Sequence, residues 1–158
     1  MRALPWWMRL YLVQHGQAKT EDEDPERSLT DEGVDGVGRV ARHAVEWLGV
    51  RVDRVVHSGK TRARQTAEVW GGLLDTEVEQ GDALAPNDDP SIWVARLDAQ
   101  TGDLMLVGHL PHLARLAGLL LTGASDHSVV SFRQGGMVGL EQTEPGWMVS
   151  VVLPPDGA

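Results

Sequence analysis

Cysteine is absent from the 158 residues, which removes disulfides, thiolate zinc sites and cysteine nucleophiles from consideration together. That absence fits a reducing compartment, and a cytoplasmic location is expected. Long apolar runs are missing too: the opening MRALPWWMRLYLV is interrupted by Pro5 and Arg9, too short in its apolar part for a signal peptide or a membrane span. No membrane partner is expected. Basic residues are scarce, 14 lysines and arginines against 23 acidic residues, for a formal net charge of -9. Nucleic acid is therefore not an expected partner, because sequence-independent affinity for it comes from neutralising phosphates with Lys and Arg. An anion site in this chain needs arginines gathered locally.

Several catalytic signatures are missing as well. No Gly-x-Ser-x-Gly supports a serine hydrolase. Gly59-Lys60-Thr61 imitates the end of a P-loop, but Arg54 stands where the first glycine belongs. Gly33, Gly36 and Gly38 fall inside a helical pattern, in the wrong order for a dinucleotide fingerprint, and read as sites of close helix packing. His109 and His112 are three apart, yet a metal needs further ligands, and neither metal nor cofactor is expected. His43 and His127 read as surface residues.

What is present reads as one domain over residues 9–153, with an N-terminal tail over 1–8 in which Trp6 and Trp7 cover a sheet edge, and a frayed end over 154–158. A chain of this length buries about 68–70% of its unfolded surface in one core. Leu10 to Gln14 is a short run without a breaker until Gly16, apolar on both faces, as in the centre of a parallel sheet. A polar, acidic loop follows over 19–31. Val34, Val37, Ala41, Val45 and Leu48 then recur at spacings of three and four, one face of a helix from Thr30 to Gly49. Residues 54–58 form a second strand and 60–74 a second helix, which establishes a βαβα rhythm. A small strand at 77–79, a loop at 81–90 and a short helix carrying Ile92, Val94 and Leu97 come next. Residues 103–109 repeat the opening pattern and lead into an apolar helix over 110–121 with Pro111 in its first turn. Strands at 129–132, 136–141 and 147–153 complete the chain, the last two joined as a hairpin. The fold class is α/β, a three-layer α/β/α sandwich with a mainly parallel central sheet.

Three strands in this reading end in polar clusters at one sheet edge: Gln14-His15-Gly16, His57-Ser58-Gly59 and Gly108-His109. Ligands of open α/β sheets bind beyond the carboxyl ends of the strands. Arg62 falls in the first turn of the second helix, where free N–H groups already favour an anion and a guanidinium adds a bidentate fork. Ser58 is either the N-cap of that helix or a direct substrate contact. Arg64, two residues on, faces elsewhere and reads as a solvated charge.

Val13-Gln14-His15-Gly16, the segment from Ser58 to Thr66 and Gly108-His109 together resemble the histidine phosphatase superfamily, whose fold is called phosphoglycerate mutase-like. The family pattern is a strand ending in Arg-His-Gly, a Ser-Pro-x-x-Arg-Ala-x-Gln-Thr segment, and a later strand ending in a second histidine. Ser58, Arg62, Ala63, Gln65 and Thr66 match the middle motif, with Gly59 in place of the proline. The short chain, Arg27-Ser28-Leu29-Thr30 and Gly108-His109-Leu110-Pro111 are similar to the SixA-like phosphohistidine phosphatases.

The resemblance implies a phosphatase that works through a covalent phosphohistidine intermediate on His15. An imidazole attacks phosphorus only when neutral, and nearby guanidinium groups keep it so by like-charge repulsion. Arg62, Arg27 and His109 would hold the three equatorial oxygens, and the amides around Gly16 would help. Gln14 stands where the family has its first arginine clamp, which weakens the site. Asp24, Asp82 and Asp89 are the acids within reach of leaving-group protonation. The expected partner is a histidine-phosphorylated protein domain, on a monomer or weak dimer. The alternatives are a small phosphomonoester substrate, or a non-catalytic phosphate- or phosphoprotein-binding module marked by Gln14.

Overall fold

The structure, a computed structural model, describes residues 7–157. Its six-stranded sheet has the order β3-β2-β4-β1-β5-β6, with β1 Arg9–Gln14, β2 Arg54–His57, β3 Val78–Gln80, β4 Leu104–Gly108, β5 Met137–Thr143 and β6 Gly146–Leu153. The first four strands run parallel, and β5 and β6 are antiparallel to their neighbours. Alternate residues of β1 serve opposite faces. Tyr11 and Val13 pack with α1 (Asp31–Glu46) and α2 (Thr61–Leu74), while Leu10 and Leu12 pack with α3 (Ser91–Asp98) and α4 (His112–Thr122). The three-layer, mainly parallel α/β/α architecture is the one expected. Among the described residues no helix is long and apolar enough to cross a membrane.

The helix over 30–49 starts as expected, with Thr30 capping the Gly33 amide, but it ends at Glu46, and its inward face keeps Val37, Ala41 and Val45 while leaving out Val34 and Leu48. Gly33, Val37, Val40, Ala41 and Ala44 are buried, whereas Val34 and Leu48 stand 44% and 47% exposed. Glycine stands at the start of the inner face because α1 there lies close against the segment after β1. An added Cβ at Gly33 would sit 2.2 Å from the Gln17 carbonyl oxygen. Gly33→Ala is therefore expected to destabilise the protein by about 1–3 kcal/mol, although alanine is the better helix former by about 1 kcal/mol. Thermal unfolding followed by circular dichroism checks this, and a raised Tm would contradict the close approach.

Three further expectations need correction. Residues 129–132 form no strand: the place beside β1 is filled by β5, and Val130 and Phe132 pack against the core on the α4 face instead. Pro111 occupies the N-cap position of α4 rather than its first turn. The ends are also better fixed than expected. Met8 is 2% exposed and its carbonyl accepts from the Gln142 amide at 2.9 Å, and Pro155–Gly157 make a 3-10 turn beside α1. Trp7 is half-buried, and residues 1–6 of the expected tail, Trp6 among them, lie outside the described residues.

Candidate active site

β1, β4 and β2 are parallel neighbours, so the residues that follow them emerge along one sheet edge: His15, His109 and Ser58. The expected convergence is there. The rings of His15 and His109 lie 5.1 Å apart between centroids, inclined by 50°, and Ser58 Oγ lies 2.6 Å from His109 Nε2. Of its two expected roles, Ser58 does not take that of N-cap. The N-cap position of α2 belongs to Lys60, which makes no side-chain cap bond, and the Ser58 hydroxyl braces the second histidine.

His15 is 7% exposed. Its Nδ1 lies 2.7 Å from the Gly16 carbonyl oxygen. A carbonyl only accepts, so Nδ1 carries the proton and Nε2 keeps its lone pair. Burial holds the His15 pKa below its ordinary 6.5. The Gly16 bond opposes that shift, and the charges of Arg62 and Arg27 reinforce it. His109 is held down to about 3, chiefly by burial, with His15, Arg62, Lys60 and His112 adding to the effect. Both rings are neutral near neutral pH.

Arg62 sits in the first turn of α2, half-buried, with Nε free of any partner. That turn contains no acidic residue and no side-chain cap, so its N–H groups and the helix dipole remain available to an anion. Arg27 has a left-handed φ of 53°, and its Nε donates to the Lys19 carbonyl at 3.1 Å. Its charge acts on both His15 and Arg62. Gln14 is 8% exposed with Oε1 unpartnered.

Gly16 does not lend its amide to an anion as expected, because that N–H donates to Thr66 Oγ1 at 3.0 Å. The Thr66 hydroxyl in turn donates to the Arg62 carbonyl at 2.8 Å, tying the end of β1 to the first turn of α2. Gln65 Oε1 accepts from the Leu29 amide at 2.7 Å and so docks the loop that carries Arg27. Both positioning residues were visible in the Gln-Thr of the motif, where nothing in the sequence shows their partners. Gly59 has a φ of 92°, which a proline ring cannot adopt, so the turn before α2 differs in backbone from one built on Ser-Pro.

The acids lie elsewhere in the hydrogen-bond pattern. Asp24 accepts from the amides of Glu26 at 3.0 Å and Ser28 at 3.1 Å and from the Ser28 hydroxyl, bonds that hold its pKa below the usual range. Asp82 pairs with Arg96 at 2.8 Å and is 82% exposed, and Asp89 caps the Ser91 amide at 2.9 Å. Arg64 pairs with Glu68 on the surface at 2.8 Å, and His127 is exposed, both as expected.

His112, wholly buried with neither ring nitrogen partnered, joins His15, His57 and His109 in having a lowered pKa. The unfolded chain takes up these protons near 6.5 and the folded chain only at lower pH, for His109 at about 3. Stability is therefore full above that ordinary value and falls as pH drops below it. The urea midpoint is expected to decline steadily from about pH 7 to about pH 4. A flat profile would mean that the folded state admits these protons freely.

The family model described as the histidine phosphatase superfamily (branch 1) matches residues 10–86. The phosphohistidine phosphatase SixA of Escherichia coli is 30% identical over 126 residues, covering 73% of this chain and 76% of that protein. Among solved structures, the protein histidine phosphatase SixA complexed with tungstate superposes with a TM-score of 0.81 at 23% identity, covering 94% of this chain and 98% of that one. The alpha-ribazole phosphatase of Shigella flexneri gives 0.77 at 15% identity over 94% and 97%. With its motif residues converging at one sheet edge and a relative this similar over most of its length, the chain belongs to the histidine phosphatase superfamily.

Proposed function

We propose that this chain is a phosphatase that transfers a phosphoryl group to His15 Nε2 and then to water, and that its substrate is phosphohistidine on a protein. The carrying observation is the bond from His15 Nδ1 to the Gly16 carbonyl, which leaves a neutral Nε2 beside the guanidinium groups of Arg62 and Arg27. In the first step the Nε2 lone pair forms a bond to phosphorus, and the electron pair of the broken P–N bond returns to the departing nitrogen. Arg62, Arg27 and the first turn of α2 hold the equatorial oxygens while charge spreads over them, and His109, whose Nε2 is taken by Ser58, walls the site beside His15. In the second step water adds to phosphorus, the His15–phosphorus bond breaks, and inorganic phosphate and a proton leave.

The state of the carboxylates favours a nitrogen leaving group. Asp24, Asp82 and Asp89 are engaged in their own loops or with Arg96. An alkoxide needs a proton as it departs. A phosphorylated imidazole already protonated on its other nitrogen leaves as a neutral ring. The relative named for phosphohistidine supports the same substrate.

Trapping tests the reading. After rapid quenching of the protein with a labelled phosphoramidate, acid-labile phosphate is expected on His15, decaying to free phosphate. A protein that binds phosphate but neither carries label nor releases phosphate from phosphoramidate and ester donors would be a binding module instead.

A further inference from the structure

We propose that the mouth of this site is shaped electrostatically to receive a basic protein surface, so that the phosphoryl group it takes is one displayed among lysines and arginines. The inference rests on the phosphatase reading above and narrows its substrate. Two acidic loops leave the carboxyl edge of the sheet, one on each side of the histidine pair. The first follows β1 and bears Glu21, Asp22, Glu23, Asp24 and Glu26, of which all but Asp24 are exposed. It is held at the site, since Arg27 within it acts on His15 and Leu29 is docked on Gln65 of α2.

The second loop follows β3. It walls a cleft of about 410 Å³ that opens at Ser58, the partner of His109. Among the described residues, Asp82 and Asp88 are the charged groups lining that cleft. Between the loops, Gln14 stands at the end of β1, 8% exposed, with Oε1 unpartnered and no charge to offer. Positive charge at the phosphoryl end thus comes from Arg62 and Arg27, with Lys19 and Lys60 nearby, and Arg96 offsets Asp82. The surrounding carboxylates outnumber these cations.

Such a field discriminates by what surrounds the phosphoryl group. A small free phosphate ester meets like charge on approach, and so does a phosphoprotein with acidic neighbours. A phosphoryl group set among cations is drawn in, and its neighbours find carboxylates while the arginines take the anion. Complementary charge of this kind acts mainly on encounter and partner choice, raising association by about tenfold to a thousandfold at low salt, and it weakens as salt is added.

The test compares two synthetic peptides with a central phosphohistidine, one flanked by lysines and one by glutamates, with phosphoramidate as a small donor. Phosphate release by the intact protein is followed in about 0.02 M and about 0.2 M salt. The lysine peptide is expected to show kcat/KM at least about tenfold higher at low salt, with the gap closing at high salt. Combined Glu21→Gln, Asp22→Asn and Glu26→Gln substitutions are expected to narrow the gap at low salt. Equal and salt-insensitive values for the two peptides, or a preference untouched by the substitutions, would overturn the inference while phosphoramidate turnover left the phosphatase reading standing. No phosphate from any of the three donors would overturn both.

Discussion

His15→Ala is expected to carry no acid-labile phosphate and to turn over phosphoramidates roughly 10⁴-fold or more slowly, because removal of a nucleophile eliminates the covalent route altogether. Some catalysis should survive. Arg62, Arg27 and the open first turn of α2 still gather and polarise a phosphoryl group for direct attack by water, just as a serine protease stripped of its triad retains an advantage of about 10³ over water alone. The nearest competitor for the role is His109, at 5.1 Å between ring centroids. Its Nε2 is engaged with Ser58 and its Nδ1 is enclosed without a partner, so neither nitrogen offers the open lone pair that His15 has. Single-turnover rates and label stoichiometry on the wild type, His15→Ala and His109→Ala separate the two. Label that persists in His15→Ala and disappears in His109→Ala would reverse the assignment, and near-UV circular dichroism of each variant shows whether the fold is intact.

The positions of these groups were legible in the sequence because they depend on features with short-range causes. An apolar run that stops at a histidine marks the end of a buried strand, as at Gln14-His15-Gly16 and Gly108-His109, and Arg62 follows its strand closely enough to fall in the first turn of the next helix. What stayed hidden depends on partners distant in the chain. The Gly16 amide meets Thr66 fifty positions later, Leu29 meets Gln65, and Ser58 meets His109. Each of these turns a residue away from its local reading. Residues 129–132 have strand composition, yet β5 occupies the place beside β1. At α1 the close approach of Gly33 to Gln17 fixes which face turns inward, and Val34, next to Gly33, is left exposed.

Gln14→Arg is expected to raise turnover, by up to roughly 10²–10³ if a guanidinium at this position contributes as much as a donor to a developing oxyanion does elsewhere. Gln14 is the last residue of β1, paired in register with Gly108, so its side chain starts beside both histidines. A neutral donor contributes about 0.5–1.5 kcal/mol to a bound anion and a charged one about 1.5–3 kcal/mol, which bounds the ground-state part of the gain at one or two kcal/mol. The larger part must come from charge that appears only as the P–N bond loosens, and it should therefore be seen in kcat more than in KM. The same substitution should cost stability in the free protein. The position is 8% exposed, and burial, reinforced by the neighbouring charge of Arg27, already lowers the pKa of Arg62. A third cation adds to that repulsion and to the desolvation, and a bound anion relieves both. Tm should thus fall in the absence of phosphate and recover in its presence by more than in the wild type. Turnover and phosphate-dependent Tm that both match the wild type would show that this chain stabilises the transferring group without any contribution from the end of β1, and that Gln14 is no defect in the site.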